Sequence, residues 1–138
     1  MVGPGRLGIA IAIALAAGTV TGRAGELGDG NRALFVKYCA ACHGENGKGG
    51  GIVASALAKP VPDLTGLSRD NSGRFPLERV IRAIDGRNPV AAHGTSEMPV
   101  WGDVFAADLA NPGDDKIGVR DKVRRLAEHI RSIQQAGS

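Results

Sequence analysis

Apolar positions along the chain recur at helical spacing, and no alternating pattern persists long enough to predict a strand. Leu34, Phe35 and Tyr38 share one face of a helix predicted over residues 31–41, with Asp29 or Asn31 as its N-cap. Leu77, Val80, Ile81 and Ile84 form a stripe over residues 76–87, where Pro76 suits the first helical position and Gly86 the close. The clearest pattern covers residues 119–135. Val119, Val123, Leu126, Ile130 and Ile133 recur there at alternating steps of four and three, and Arg120, Lys122, Arg124, Arg125 and Arg131 read as the solvated face. Between these helices lie a glycine run at 47–51, a long polar connection through Pro60, Pro62, Gly66 and Gly73, and a loop carrying His93 and Met98. The glycine run has no strand before it and no Ser or Thr after Lys48, so it fails as a phosphate loop and reads as a flexible turn. No internal repeat is visible.

The N-terminus follows a different rule. Arg6 precedes an unbroken small and apolar run, Leu7 to Ala17, and Gly22 and Ala24 supply small residues at a cleavage site. That is the three-part pattern of a secretory signal, assigned to residues 1–24. The run is short of the roughly 20 apolar residues of a spanning helix. The expected product is an exported, periplasmic bacterial protein, membrane-anchored only if the segment is retained. Residues 25–138 then form a single domain. Removing the signal takes Arg6 and Arg23 away, and the formal net charge of +3 falls to +1. With one Trp, one Tyr and three Phe in the chain, neither charge nor stacking surface argues for a nucleic-acid partner.

The chemistry is concentrated in Cys39-Ala40-Ala41-Cys42-His43. Two thiols and an imidazole in this order are the attachment signature of a c-type haem. Each thiol can add across one porphyrin vinyl group, and His43 is then held beneath the iron as an axial ligand. Three other readings compete. A structural zinc site needs four ligands, and beyond this motif only His93 and His129 remain. A thioredoxin-like dithiol normally follows a strand, and none is predicted before Cys39. A disulfide between cysteines this close is strained.

Taken together, these features resemble a class I monohaem cytochrome c of the bacterial kind. The resemblance rests on Leu34-Phe35 ahead of the motif, Cys39 to Gly44, the proline-rich loop, Ile84-Asp85-Gly86, Met98-Pro99-Val100-Trp101-Gly102 and the closing amphipathic helix. It implies an all-α, cytochrome c-like fold of three to five helices wrapped around one covalently bound haem c. It also implies Met98 as the second axial ligand. Met/His ligation raises the reduction potential relative to His alone, in keeping with a soft thioether. His93, on the same loop, is the rival ligand. Either Pro60 or Pro62 is expected to offer a carbonyl to the axial imidazole. Trp101 is expected to pack near the haem or in the core. The chain departs from the family at His129, where an aromatic residue often packs on the first helix, and at Asn31, where a glycine commonly permits close approach. The departure at His129 predicts a looser crossing of the first and last helices, and both departures bear on stability more than on function.

The function expected is that of a one-electron carrier and not an enzyme, because filled axial positions leave no site for a substrate. Redox partner proteins would dock transiently at the exposed haem edge. The alternatives are a cytochrome subunit of a larger periplasmic dehydrogenase or reductase complex, and a haem sensor or enzyme in which Met98 dissociates.

Overall fold

Five α-helices and three short 3₁₀ turns build the structure, a computed structural model that describes residues 22–87, 98–109 and 118–135. The helices are α1 (Gly22–Tyr38), α2 (Ala40–His43), α3 (Leu77–Asp85), α4 (Trp101–Asp108) and α5 (Val119–Ser132). No strand occurs among the described residues. The chain is thus all-α, as its periodicity predicts. His93 lies outside the described residues, and so does the apolar run from Leu7 to Ala17.

Helix α5 is the spine, packing against α1, α3 and α4. Its Val123, Leu126, Ala127 and Ile130 join Phe35 and Cys39 of the first segment, Val80 and Ile84 of α3, and Phe105 of α4 in one buried cluster. The stripes read from α3 and α5 are therefore core faces. Because α5 is covered on several sides, its buried arc is wider than the apolar stripe. Lys122 and His129 are buried with it, which corrects the placing of Lys122 on a solvated face. The Lys122 ammonium lies 3.8 Å from Asp108 at the end of α4 and above the Phe105 ring. Buried charge of this kind requires such a counter-charge.

The crossing of α1 and α5 is close. Phe35 is fully buried, and its ring stands 4.8 Å from that of His129. One turn earlier, Arg125 Nε donates to Asn31 Oδ1 at 2.9 Å. His129 thus supplies the ring contact and Asn31 a hydrogen bond across the crossing, so the looser packing expected from His129 is absent.

Helix α1 begins at Gly22, well before the expected start, and ends at Tyr38. Asp29 and Asn31 lie inside it and cap nothing. Gly25, Gly28 and Gly30 hid this half from propensity, since each costs about 1 kcal/mol relative to alanine in a helix. Helix α4 was not foreseen either. Its Trp101 and Phe105 follow at helical spacing, and with Tyr38 they form an aromatic cluster linking α4 to α1, with ring centroids 5.0–5.6 Å apart.

Two stability predictions follow from this packing. Nothing lies within 4 Å of a Cβ built at Gly28, so Gly28→Ala should raise the unfolding free energy by up to about 1 kcal/mol, read from denaturant melts. His129 has its pKa held below the ordinary 6.5, first by burial and then by the nearby Arg32 charge, and its Nε2 is buried without a partner. The folded state favours neutral imidazole while the unfolded chain protonates normally. The stabilisation from this group is therefore complete above pH 6.5 and is lost as pH falls below it. His129→Tyr should flatten this part of the pH dependence of unfolding, and identical profiles in both proteins would refute it.

Candidate haem site

The attachment motif is a single helical turn. Cys39 N donates to Phe35 O at 2.8 Å, and Cys42 N and His43 N both donate to Cys39 O, at 3.2 and 2.9 Å. Cys39 and His43 are thereby one turn apart on the same side. Small Ala40 and Ala41 lie between the two thiols. Cys39 is buried in the core, and its thiol is pushed up to about 12, first by burial and then by the charge of nearby Cys42. Neither cysteine is in a disulfide.

A helix end leaves carbonyls without partners. Here the glycine run supplies them. Gly49 N donates to His43 O at 2.8 Å, Gly51 N to Cys42 O at 3.0 Å and Val53 N to Ala41 O at 3.0 Å. The segment from Gly47 to Val53 is a strap laid against the turn, not the flexible connection its composition suggests. The strap needs glycine for space. A Cβ at Gly51 would strike the carbonyl oxygens of Ala40 and Ala41, and Gly49 adopts a φ of 82°. Sequence reasoning missed this role. The signal was present in the run's position directly after the motif.

His43 is half-buried. Burial holds its imidazole below the ordinary pKa, and the Pro62 backbone carbonyl opposes this more weakly. Of the two expected prolines, Pro62 is thus the one beside the ring. Its carbonyl lies close to the imidazole, but no bond closes within hydrogen-bonding geometry, and Nδ1 is buried without a partner. A neutral imidazole is the form that binds a metal. The orphaned Nδ1 next to a proline carbonyl matches the arrangement that orients a ligating histidine.

The polypeptide behind His43 is held from the far end of the chain. Gln134 Nε2 donates to Leu64 O at 2.7 Å, Ser68 N donates to Gln134 Oε1 at 2.8 Å, and Gln135 N donates to Thr65 O at 2.9 Å. Asp63 accepts from both the Thr65 amide and hydroxyl at 2.7 Å, and these bonds hold its carboxyl below the usual range.

Met98 lies three residues before α4, half-buried and packed on the same core cluster that contains Cys39. Leu64, Leu67, Phe75, Leu77, Ile81 and Trp101 also pack on that cluster while keeping part of their surface open. Fold and motif together bring Cys39 and Met98, distant in sequence, to one core. Among the described residues no three Cys, His, Asp or Glu side chains converge as ligands of a single ion. The two thiols and the imidazole are spread along the turn, as attachment to a broad flat ring requires.

An all-helical frame, a Cys-x-x-Cys-His turn at the end of the first helix and a half-buried methionine against the same core define a c-type cytochrome domain. The model of the family described as cytochrome C oxidase, cbb3-type, subunit III matches residues 27–111, and the chain belongs to that family. No curated protein and no solved structure matches the chain. The domain carries covalently attached haem c and has a haem-binding, electron-transfer role.

Gly51→Ala should cost about 2 kcal/mol through overpacking against the turn. The expected readouts are a lower melting temperature of the holoprotein and a smaller yield of haem-stained protein. Unchanged stability would mean that the strap does not hold the turn.

Proposed function

We propose that the chain is an exported one-electron carrier in which Cys39 and Cys42 would hold haem c, while His43 and Met98 would ligate its iron. The bound haem supplies reversible one-electron exchange between ferric and ferrous iron. The chain's own part is to fix ligands and exclude water. The observation that carries this reading is the strapped turn, which holds Cys39, Cys42 and His43 in rigid succession. Rigid ligands suit electron transfer, because little has to move when the iron changes charge. Met98 is the described thioether that packs on the core, and a second protein ligand leaves the iron no open position for substrate.

Partner docking is proposed at the strap. Ile52 is 91% exposed and Val53 40%, directly beside the attachment turn. Electron-transfer encounters are small, and two protruding apolar side chains suit brief contact. A second reading, a permanent subunit of a respiratory complex, is favoured by the description of the matching family and by exposed Val100, Val104 and Leu109 around α4. Export through cleavage after residue 24 is part of the proposal. No helix among the described residues is long and apolar enough to cross a membrane.

The ligands are tested by visible spectroscopy on the purified holoprotein. The oxidised protein should show the weak sulfur-to-iron charge-transfer band. Met98→Ala should abolish the band and lower the reduction potential, while His93→Ala should leave both intact. Persistence of the band in Met98→Ala would overturn the assignment. Haem staining of native gels separates a free carrier from a species migrating only within a larger complex.

A further inference from the structure

We propose that Asp85 and Arg87, paired over Gly102, are positioning residues that clamp the end of α3 to the start of α4 and thereby hold Met98 in place, a role that rests on Met98 being the ligand proposed above. Met98 stands three residues before α4, so the seat of that helix decides where the thioether lies.

The clamp starts from a fixed point. Val80 and Ile84 of α3 are buried in the core, which anchors the end of that helix. Gly86 closes it in the left-handed conformation, with a φ of 70° and its amide donating to Arg82 O at 3.0 Å. Glycine serves a second purpose there. A Cβ at Gly86 would fall 3.2 Å from the Cα of Val100, so the turn after α3 rests on the backbone just beyond Met98.

The charged pair adds a second contact at the first turn of α4. Arg87 Nε donates to Asp85 Oδ1 at 2.7 Å, Arg87 Nη2 to Asp85 Oδ2 at 2.9 Å, and the Arg87 amide to Asp85 Oδ1 at 3.3 Å. Two parallel bonds between fork and carboxylate fix the geometry of both side chains. They hold the Asp85 carboxyl below the usual range, and Asp103 in the first turn of α4 adds a negative charge that draws Arg87 towards that helix. Gly102 is buried directly beneath the pair. A Cβ there would strike Asp85 Oδ1, Arg87 Nε and Arg87 Cδ. An ion pair that only decorated the surface would need no such space under it. Glycine weakens a helix, and here it lets the pair lie flat against one.

The test titrates the ferric holoprotein with imidazole, which takes the iron only when Met98 has left it. Apparent affinity therefore reports the fraction of molecules with Met98 detached. Asp85→Asn and Arg87→Gln should each bind imidazole about fivefold more tightly than the native protein, in keeping with a partly exposed pair. The two substitutions change the net charge in opposite directions, so charge alone would move them apart. Loss of the clamp moves both the same way, and the double variant should match the tighter single variant rather than the product of the two. Arg82→Gln, which removes an exposed arginine from the same helix, should bind as the native protein does. A lower melting temperature with native imidazole affinity in both variants, or affinity shifts of opposite sign, overturns the clamp. The sulfur-to-iron band of the native protein separates the two claims. Its absence overturns the ligand assignment and the clamp with it, while its presence beside unchanged imidazole binding in the variants overturns the clamp alone.

Discussion

The contact of Phe35 with α5 sets where the chemistry falls. Phe35 is completely buried beneath the crossing, with the His129 ring against it. Its own carbonyl takes the amide of Cys39 one turn later. Fixing Phe35 therefore fixes the direction in which the attachment turn leaves α1 and brings Cys39 into the core. The strap then completes the turn from the other side by taking up the carbonyls of Ala41, Cys42 and His43. The geometry of the site thus comes from one apolar contact and four backbone hydrogen bonds. The cysteine and histidine side chains remain available for the prosthetic group.

The helix that supplies the largest share of the core also carries two buried polar residues. Lys122 and His129 face different neighbours and are treated differently. Lys122 meets a carboxylate and an aromatic ring, while His129 is kept neutral by burial. A small domain with few large side chains packs one long helix on several sides, and polar positions on that helix are enclosed along with apolar ones. The open apolar edges of Leu64, Leu67, Phe75 and Ile81 are the complement of this. They are apolar surfaces that the protein alone leaves partly open.

The attachment motif, the stripes of α3 and α5 and the all-α class were legible in the sequence because each rests on local spacing. What failed to read was set by context. Four glycines argue against a helix from Gly22 to Gly30, yet the chain there is helical, with residues 25–29 exposed. The glycines after the motif resemble a loose turn, because composition does not show that their amides meet the carbonyls of Ala41, Cys42 and His43. Helix α4 was hidden behind its opening Trp-Gly, although Trp101 and Phe105 lie one turn apart. Lys122 was placed in solvent because an apolar stripe predicts only one covered side. His93 and the signal segment fall outside the described residues, and they remain readings of the sequence.

The bonds from Gln134 and Gln135 to Leu64, Thr65 and Ser68, and the seating of Phe35 under His129, all join early and late parts of the polypeptide. During synthesis the first helix and its cysteines emerge long before the segment they need. Nothing on the ribosome can consolidate this frame until α5 has been made, because its decisive contacts are non-local. The nascent chain thus passes through an extended interval with both thiols reachable. An unfolded chain is the form that a modifying enzyme can grasp.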